Sequence, residues 1–104
     1  MPSITLSGIN REKAVEMAET IGDIVVKESD TDPIYKKVFF LPIERIDGVE
    51  NPAIDIYWMH REQEICNKVS SCLTDYLKTR GFNNIQITFT EFKGNLFYEN
   101  GKHF

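Results

Sequence analysis

Apolar and polar side chains alternate from Ser3 to Ser7, which predicts a short strand that Gly8 ends. Asn10 follows as a good N-cap, with Glu12 placed favourably in the first turn of a helix. From Arg11 to about Lys27, Ala14, Ala18, Ile21 and Val25 recur at helical spacing. The cluster Ser29-Asp-Thr-Asp-Pro33 stops that helix, because proline disfavours helical geometry in the residue before it. Tyr35 to Ile43 is rich in aromatic and β-branched residues and predicts a second strand. Pro42 near its end points to an edge position or a bulge. Glu44 to Pro52 contains Asp47-Gly48, a turn signal, and reads as a loop or short hairpin. Ile54 to Trp58 is the third strand and Arg61 to Arg80 the clearest helix. Its stripe is Ile65, Val69, Cys72, Leu73, Tyr76 and Leu77, with Gly81 as C-terminal cap. Ile85 to Phe92 is the fourth strand, with Ile85, Ile87 and Phe89 on one face and Gln86, Thr88 and Thr90 on the other. Gly94 to Gly101 sets turn residues around three apolar ones and predicts a short added strand or hairpin.

The order of elements repeats fifty residues on. Pro2-Ser-Ile-Thr-Leu and Asn10-Arg-Glu-Lys13 match Pro52-Ala-Ile-Asp-Ile and His60-Arg-Glu-Gln63. Pro2 thus corresponds to Pro52, Ile4 to Ile54, Leu6 to Ile56 and Arg11 to Arg61. The second strands follow suit, Val38 and Phe40 against Ile87 and Phe89. One βαβ unit is used twice, in a single domain of two pseudo-repeats, about 1–46 and 51–104. The expected class is α+β, a four-stranded mixed sheet with two helices on one face. A ferredoxin-like βαββαβ domain also repeats βαβ twice and is the alternative architecture.

Two helices can cover one face of such a sheet, not both. The second strand is apolar on both faces, with Val38 and Phe40 on one and Phe39 and Leu41 on the other. Another copy of the chain is the economical cover. Thr5, Asp55, Gln86 and Thr88 share that second face, which fits sheets grouped round a polar axis.

Composition narrows the function classes. The chain has 104 residues, enough for one domain and one core, and 41% hydrophobic and 27% charged residues, ordinary for a soluble protein. A net charge of −4 argues against non-specific nucleic-acid binding. No apolar run approaches the roughly 20 residues of a membrane helix, and no basic-then-apolar leader stands at the start, so the expected location is cytoplasmic. Cys66 and Cys72 fall about 9 Å apart along one helix, too far to bridge. Cys72 is in phase with the apolar stripe and is expected in the core. Neither His60 nor His103 has a metal-ligand spacing, and no phosphate loop or Ser-His-Asp arrangement is implied.

The Met-Pro start, the duplicated βαβ unit and the Gly/Asn-rich aromatic tail together resemble the tautomerase superfamily, which includes the macrophage migration inhibitory factor-like proteins. Asn95-Leu-Phe-Tyr-Glu-Asn-Gly101 looks like the Asn-Trp-Gly-x-Gly-Gly ending of several members. More narrowly, the chain resembles short bacterial tautomerase-like proteins ending in Tyr-Glu-Asn-Gly-x-His-Phe, here Tyr98 to Phe104. The resemblance implies a homotrimer and removal of Met1. It further implies that the exposed Pro2 nitrogen is a general base, shuttling a proton on a small 2-oxo or enol acid without a cofactor. An α-amino group has a pKa of about 7.7–8, and an apolar pocket lowers it toward a base poised near neutrality.

The resemblance also suggests who holds the anionic carboxylate substrate. Lys37 stands where some members carry a substrate-binding arginine on the second strand, and Arg11 where others carry one at the start of the first helix. Arg61 is the repeat equivalent of Arg11. Tyr98 could donate to an enolate oxygen, and Phe39, Trp58, Phe97 and Tyr98 would shape the pocket. The migration inhibitory factors carry a lysine between the first helix and second strand, where Thr31 or Asp32 stands here. That departure, with the altered tail, keeps a non-catalytic oligomeric binding or interaction protein of the same fold as the alternative.

Overall fold

The computed structural model describes residues 2–103, so expectations resting on Met1 and Phe104 lie outside the described residues. The sheet elements are β1 (Ser3–Ser7), β2 (Lys37–Phe40), β3 (Ala53–Met59) and β4 (Gln86–Phe92), with helices α1 (Arg11–Glu28) and α2 (Gln63–Thr79). A two-stranded hairpin, β5 (Tyr98–Glu99) and β6 (Lys102–His103), follows. The strand order is β2-β1-β3-β4. β1 pairs parallel with β2, β3 parallel with β4, and β1 antiparallel with β3. Each βαβ unit therefore keeps its own two strands side by side. A ferredoxin-like sheet separates them with an inserted strand, so that alternative is excluded.

The repeat is visible as register. Ile4 lies beside Val38 and Leu6 beside Phe40, while Ile54 lies beside Ile87 and Ile56 beside Phe89. Thr5 and Asp55, equivalent residues of the two copies, are also partners across the β1–β3 seam. A pseudo-twofold axis passes between them. Continuing the same register brings Pro2 opposite Trp58 at one end of the seam and Gly8 opposite Pro52 at the other.

Alternation sorts the strand residues onto two faces. Ile4, Leu6, Ile54, Ile56 and Trp58 point at the helices and are buried, with Val38, Phe40, Ile87 and Phe89 partly so. The helices meet them with Ala14, Met17, Ile21 and Val25 from α1 and Cys66, Val69, Leu73 and Leu77 from α2. Ala18, expected in the stripe, is only half-buried, and Met17 takes its place. Cys66 rather than Cys72 is the buried thiol, because the apolar face of α2 is centred on Val69 and Leu73 and Cys72 sits at its margin. Burial raises both thiols above their ordinary pKa, helped by Glu91 at Cys66 and Glu28 at Cys72, so neither is a ready nucleophile.

The helix ends follow local chemistry. Asn10 accepts from Lys13 N at 2.9 Å, the expected N-cap. Both helices close with paired reverse bonds, Thr31 N to Val26 O and Asp30 N to Lys27 O in α1, Phe82 N to Leu77 O and Gly81 N to Lys78 O in α2. Gly81 supplies the left-handed residue in α2, as its position predicts, and Asp30 supplies it in α1. β2 is shorter than the sequence suggests. Asp32 accepts from Ile34 N at 3.0 Å and Pro33 opens a single 3-10 turn through Tyr35, which delays entry to the sheet. β2 is an edge strand, as Pro42 implied.

Gly8 is the tightest point of the seam. Its φ is +78°, and a Cβ there would lie 2.1 Å from Asn51 O, whereas one at Gly81, with φ +93°, would meet nothing within 4 Å. Gly81→Ala is expected to cost about 1–2 kcal/mol, the left-handed penalty alone. Gly8→Ala should cost clearly more, because the Asn51 N to Gly8 O bond must also be displaced. Urea denaturation of the two variants checks the order, and equal costs would remove Asn51 as the constraint.

Candidate functional site

Pro2 is fully buried and precedes the first residue of β1. Its neighbour Ser3 pairs with Lys37 on one side and Tyr57 on the other. This end of the sheet also receives the α1–β2 connection, the β3–α2 connection and the last residues of β4.

Trp58 is the floor of this region. Its side chain is 0% exposed and stacks on Phe89 at 5.1 Å between centroids. The expectation that Trp58 shapes an open pocket is therefore corrected. It shares the inward parity of Ile54 and Ile56, and its ring belongs to the core. Above it lies Arg61, whose guanidinium carbon is 5.0 Å from the ring centroid. Arg61 Nη1 donates to Met59 O at 2.9 Å, and Nη2 lies 3.5 Å from Thr31 Oγ1. The place where a loop lysine was missing from the sequence is thus reached by a guanidinium from the other copy of the repeat.

Glu91 ties this end together. It stands on β4 directly beside Trp58 and faces the helices. Its carboxylate accepts from Trp58 Nε1 at 3.1 Å, Arg61 N at 3.0 Å and His60 Nδ1 at 2.9 Å, with Cys66 Sγ at 3.7 Å. Burial pushes the carboxyl up, but hydrogen bonds from the Arg61 amide, the His60 ring and the Trp58 indole outweigh it and hold the group below its ordinary value. Glu91 was missed in the sequence. The signal was there: it is a charged residue on the inward parity of Ile87 and Phe89.

The remaining candidates divide between the open face and the far end. Lys37 is exposed beside Ser3, and Phe39, 51% exposed, lies beside Thr5. Tyr57, Phe92 and Phe97 form a stacked row, with centroids 4.9 and 5.0 Å apart. Tyr57 and Phe92 were not anticipated in this role. Tyr98 is exposed on the hairpin, edge-on to His103 at 5.8 Å. Asn100 and Gly101, both at positive φ, turn that hairpin. Arg11 opens α1 at the opposite end of β1, so within one chain it does not join Pro2.

The concavities of the single chain lie at that opposite end. One of about 230 Å³ is lined by Gly8, Asn10, Glu44, Arg45 and Glu50, among others. There Glu50 accepts from Asn10 N at 3.2 Å and Lys13 Nζ at 2.8 Å, and the Lys13 bond holds its carboxyl below the ordinary value despite some burial. Among the described residues no cluster of His, Cys, Asp and Glu could hold a metal ion. No helix of the described residues is long and apolar enough to cross a membrane.

The family described as a domain of unknown function, DUF1904, matches residues 1–103. The chain belongs to that family. A DUF1904 structure from Sebaldella termitidis ATCC 33386 shares 23% identity over 100% of both chains, with a TM-score of 0.85. The macrophage migration inhibitory factor of Trichinella spiralis shares 20% identity over 98% of this chain and 99% of its own, with a TM-score of 0.78. A malonate semialdehyde decarboxylase shares 9% identity over 91% of this chain and 88% of its own, with a TM-score of 0.76. No curated protein matches in sequence. This DUF1904 chain therefore has the tautomerase and migration inhibitory factor fold, as the resemblance in its sequence implied.

The DUF1904 chain should reveal the role of Glu91 in its acid stability. A carboxyl lowered by folding contributes stability that is complete above its unfolded value, 4.5, and is lost as pH falls through the folded value. Glu91→Gln is expected to cost about 1–3 kcal/mol at pH 7. The gap to the native protein should narrow below pH 4.5. Urea denaturation across that range measures it, and a gap independent of pH would mean the charge of Glu91 is not what stabilises.

Proposed function

We propose that the chain catalyses proton transfer on a small 2-oxo or enol acid, with the Pro2 nitrogen as general base once Met1 is removed. The observation that carries this reading is a fully buried Pro2 at the start of a central strand, in a fold shared with a migration inhibitory factor and a malonate semialdehyde decarboxylase. A secondary amine held among apolar groups resists protonation, which makes it a base near neutral pH. It would take a proton from the carbon or enol oxygen next to the carboxylate and return it to the other atom. Cations at this end would hold the carboxylate and oppose charge on the enolate oxygen. No step requires a cofactor.

The same reading includes a homotrimer formed through the open face. Phe39, Leu41 and Tyr57 are 51%, 45% and 46% exposed there, on a face no helix covers. Neighbouring copies would bring Arg11 and the Phe97–Tyr98 hairpin to a Pro2 end that one chain leaves unwalled. Sedimentation equilibrium is expected to give three times the mass of one chain, and Phe39→Glu to give a folded monomer. A native monomer would remove the trimer.

One observation favours a non-catalytic binding protein of the same fold: the concavities of the single chain lie at the Pro52 end. The deciding experiment is ketonisation of phenylenolpyruvate by native protein and Pro2→Ala, followed by ultraviolet absorbance, with intact mass confirming that Met1 is gone. Turnover that falls by about a hundredfold or more on substitution supports the base. Absence of turnover with Met1 removed supports the binding protein. Retention of Met1 leaves Pro2 nitrogen an amide and ends the catalytic reading.

A further inference from the structure

We infer that Arg61 is the cation that receives the ligand's carboxylate at the Pro2 end, and that Glu91 is the positioning residue that sets it there. This deepens the proposed function by naming the anion-binding residue, and rests on its placement of the ligand at that end.

Arg61 differs from its peers in what it lacks. Arg45 pairs with Asp47, Arg80 with Glu16, and Lys36 with Asp23. The guanidinium of Arg61 has no carboxylate partner among the described residues. A carboxylate is at hand, since Glu91 sits close enough to take the Arg61 backbone N–H at 3.0 Å. Its oxygens are already engaged by Trp58, His60 and that amide, which leaves the guanidinium without a counter-ion.

The guanidinium is nevertheless held in place. One face lies over Trp58, Nη1 is fixed to Met59 O, and Nη2 is directed to Thr31 Oγ1. Three weak restraints orient the fork and leave donors unclaimed. A planar fork with a free edge matches a planar carboxylate through two parallel hydrogen bonds. Half-burial strengthens that pairing relative to water. Lys37, the other unpaired cation near Ser3, is an exposed point charge on the open face and offers no such fork. Arg11 is at the far end of β1. The ligand class that follows is a small monocarboxylate whose carboxylate lies along the edge of Arg61.

Glu91 acts through Arg61. By gripping the Trp58 indole, the His60 ring and the Arg61 amide at once, it fixes the stacking ring and the backbone from which the guanidinium extends. Losing it would loosen the fork without removing the charge.

Equilibrium binding tests this apart from turnover. Full-length protein, shown by mass to lack Met1, is titrated with sodium pyruvate at low ionic strength. The Arg61 Nε–H and Trp58 Nε1–H resonances are followed, and the assignments come from the variants. In the native protein both are expected to shift together and saturate. Arg61→Gln should weaken pyruvate binding about tenfold or more, the value of a charge-assisted bidentate pair. Arg61→Lys should restore part of it and Lys37→Gln should change it less than about twofold, since an exposed charge contributes little. Glu91→Gln should weaken binding while Glu91→Asp recovers some of it, which a general loss of stability would not do. No shift at Arg61 in the native protein, binding by Arg61→Gln at native strength, or loss of binding in Lys37→Gln would each overturn the inference. Binding at Arg61 in a protein that never turns over phenylenolpyruvate would instead overturn the proton-transfer reading and leave this one standing.

Discussion

Five backbone pairings between β1 and β3 join the two copies of the repeat, and the character of both ends of the molecule follows from them. The antiparallel register puts Thr5 against Asp55 and makes the copies exchange ends. Each copy's leading proline therefore lies at the opposite end of the sheet from the other's. At the Pro52 end the chain runs straight through, and Asn51 N bonds back to Gly8 O at 3.2 Å. At the Pro2 end β1 begins, and the neighbours are Trp58, Arg61 and Glu91. The same fold element, used twice, thus offers one end tied by its own backbone and one end whose chemistry depends on side chains.

Those side chains are arranged around a carboxylate that serves structure first. Glu91 neutralises the polar needs of a buried indole and of the β3–α2 connection, and its charge is held in place by them. A buried acid would ordinarily seek the nearest guanidinium. Here it does not, and the cation stays unpaired a few ångströms away. The far end solves a similar problem differently. Glu50, from the loop before β3, takes both the Asn10 amide and the Lys13 ammonium, so no cation is left over there.

Much of this was legible in the sequence where a single element decided the outcome. Alternation and helical spacing marked β1, both helices and β3, and the in-register repeat anticipated the two parallel pairs. Gly81 and Asn10 did what isolated residues of their type do at helix ends. Trp58 was misplaced although its parity with Ile54 and Ile56 carried the answer, because an aromatic near a candidate site was given a functional role ahead of a packing one. The contact of Arg61 with Thr31 spans thirty residues and depends on how two connections meet over one ring. No local pattern encodes that. Phe97 belongs to the same class, since its row with Phe92 and Tyr57 exists only once the tail folds back on the open face.

The chain contains one tryptophan, and it is the ring beneath Arg61. Its indole is dry, stacked on Phe89, bonded to a carboxylate and capped by a cation. Each of these partners governs the colour and yield of indole emission. The protein thus carries a built-in optical gauge at the end of the sheet where its chemistry is concentrated. Lifting the guanidinium or discharging Glu91 would register in a single unmixed fluorescence band, with no label attached.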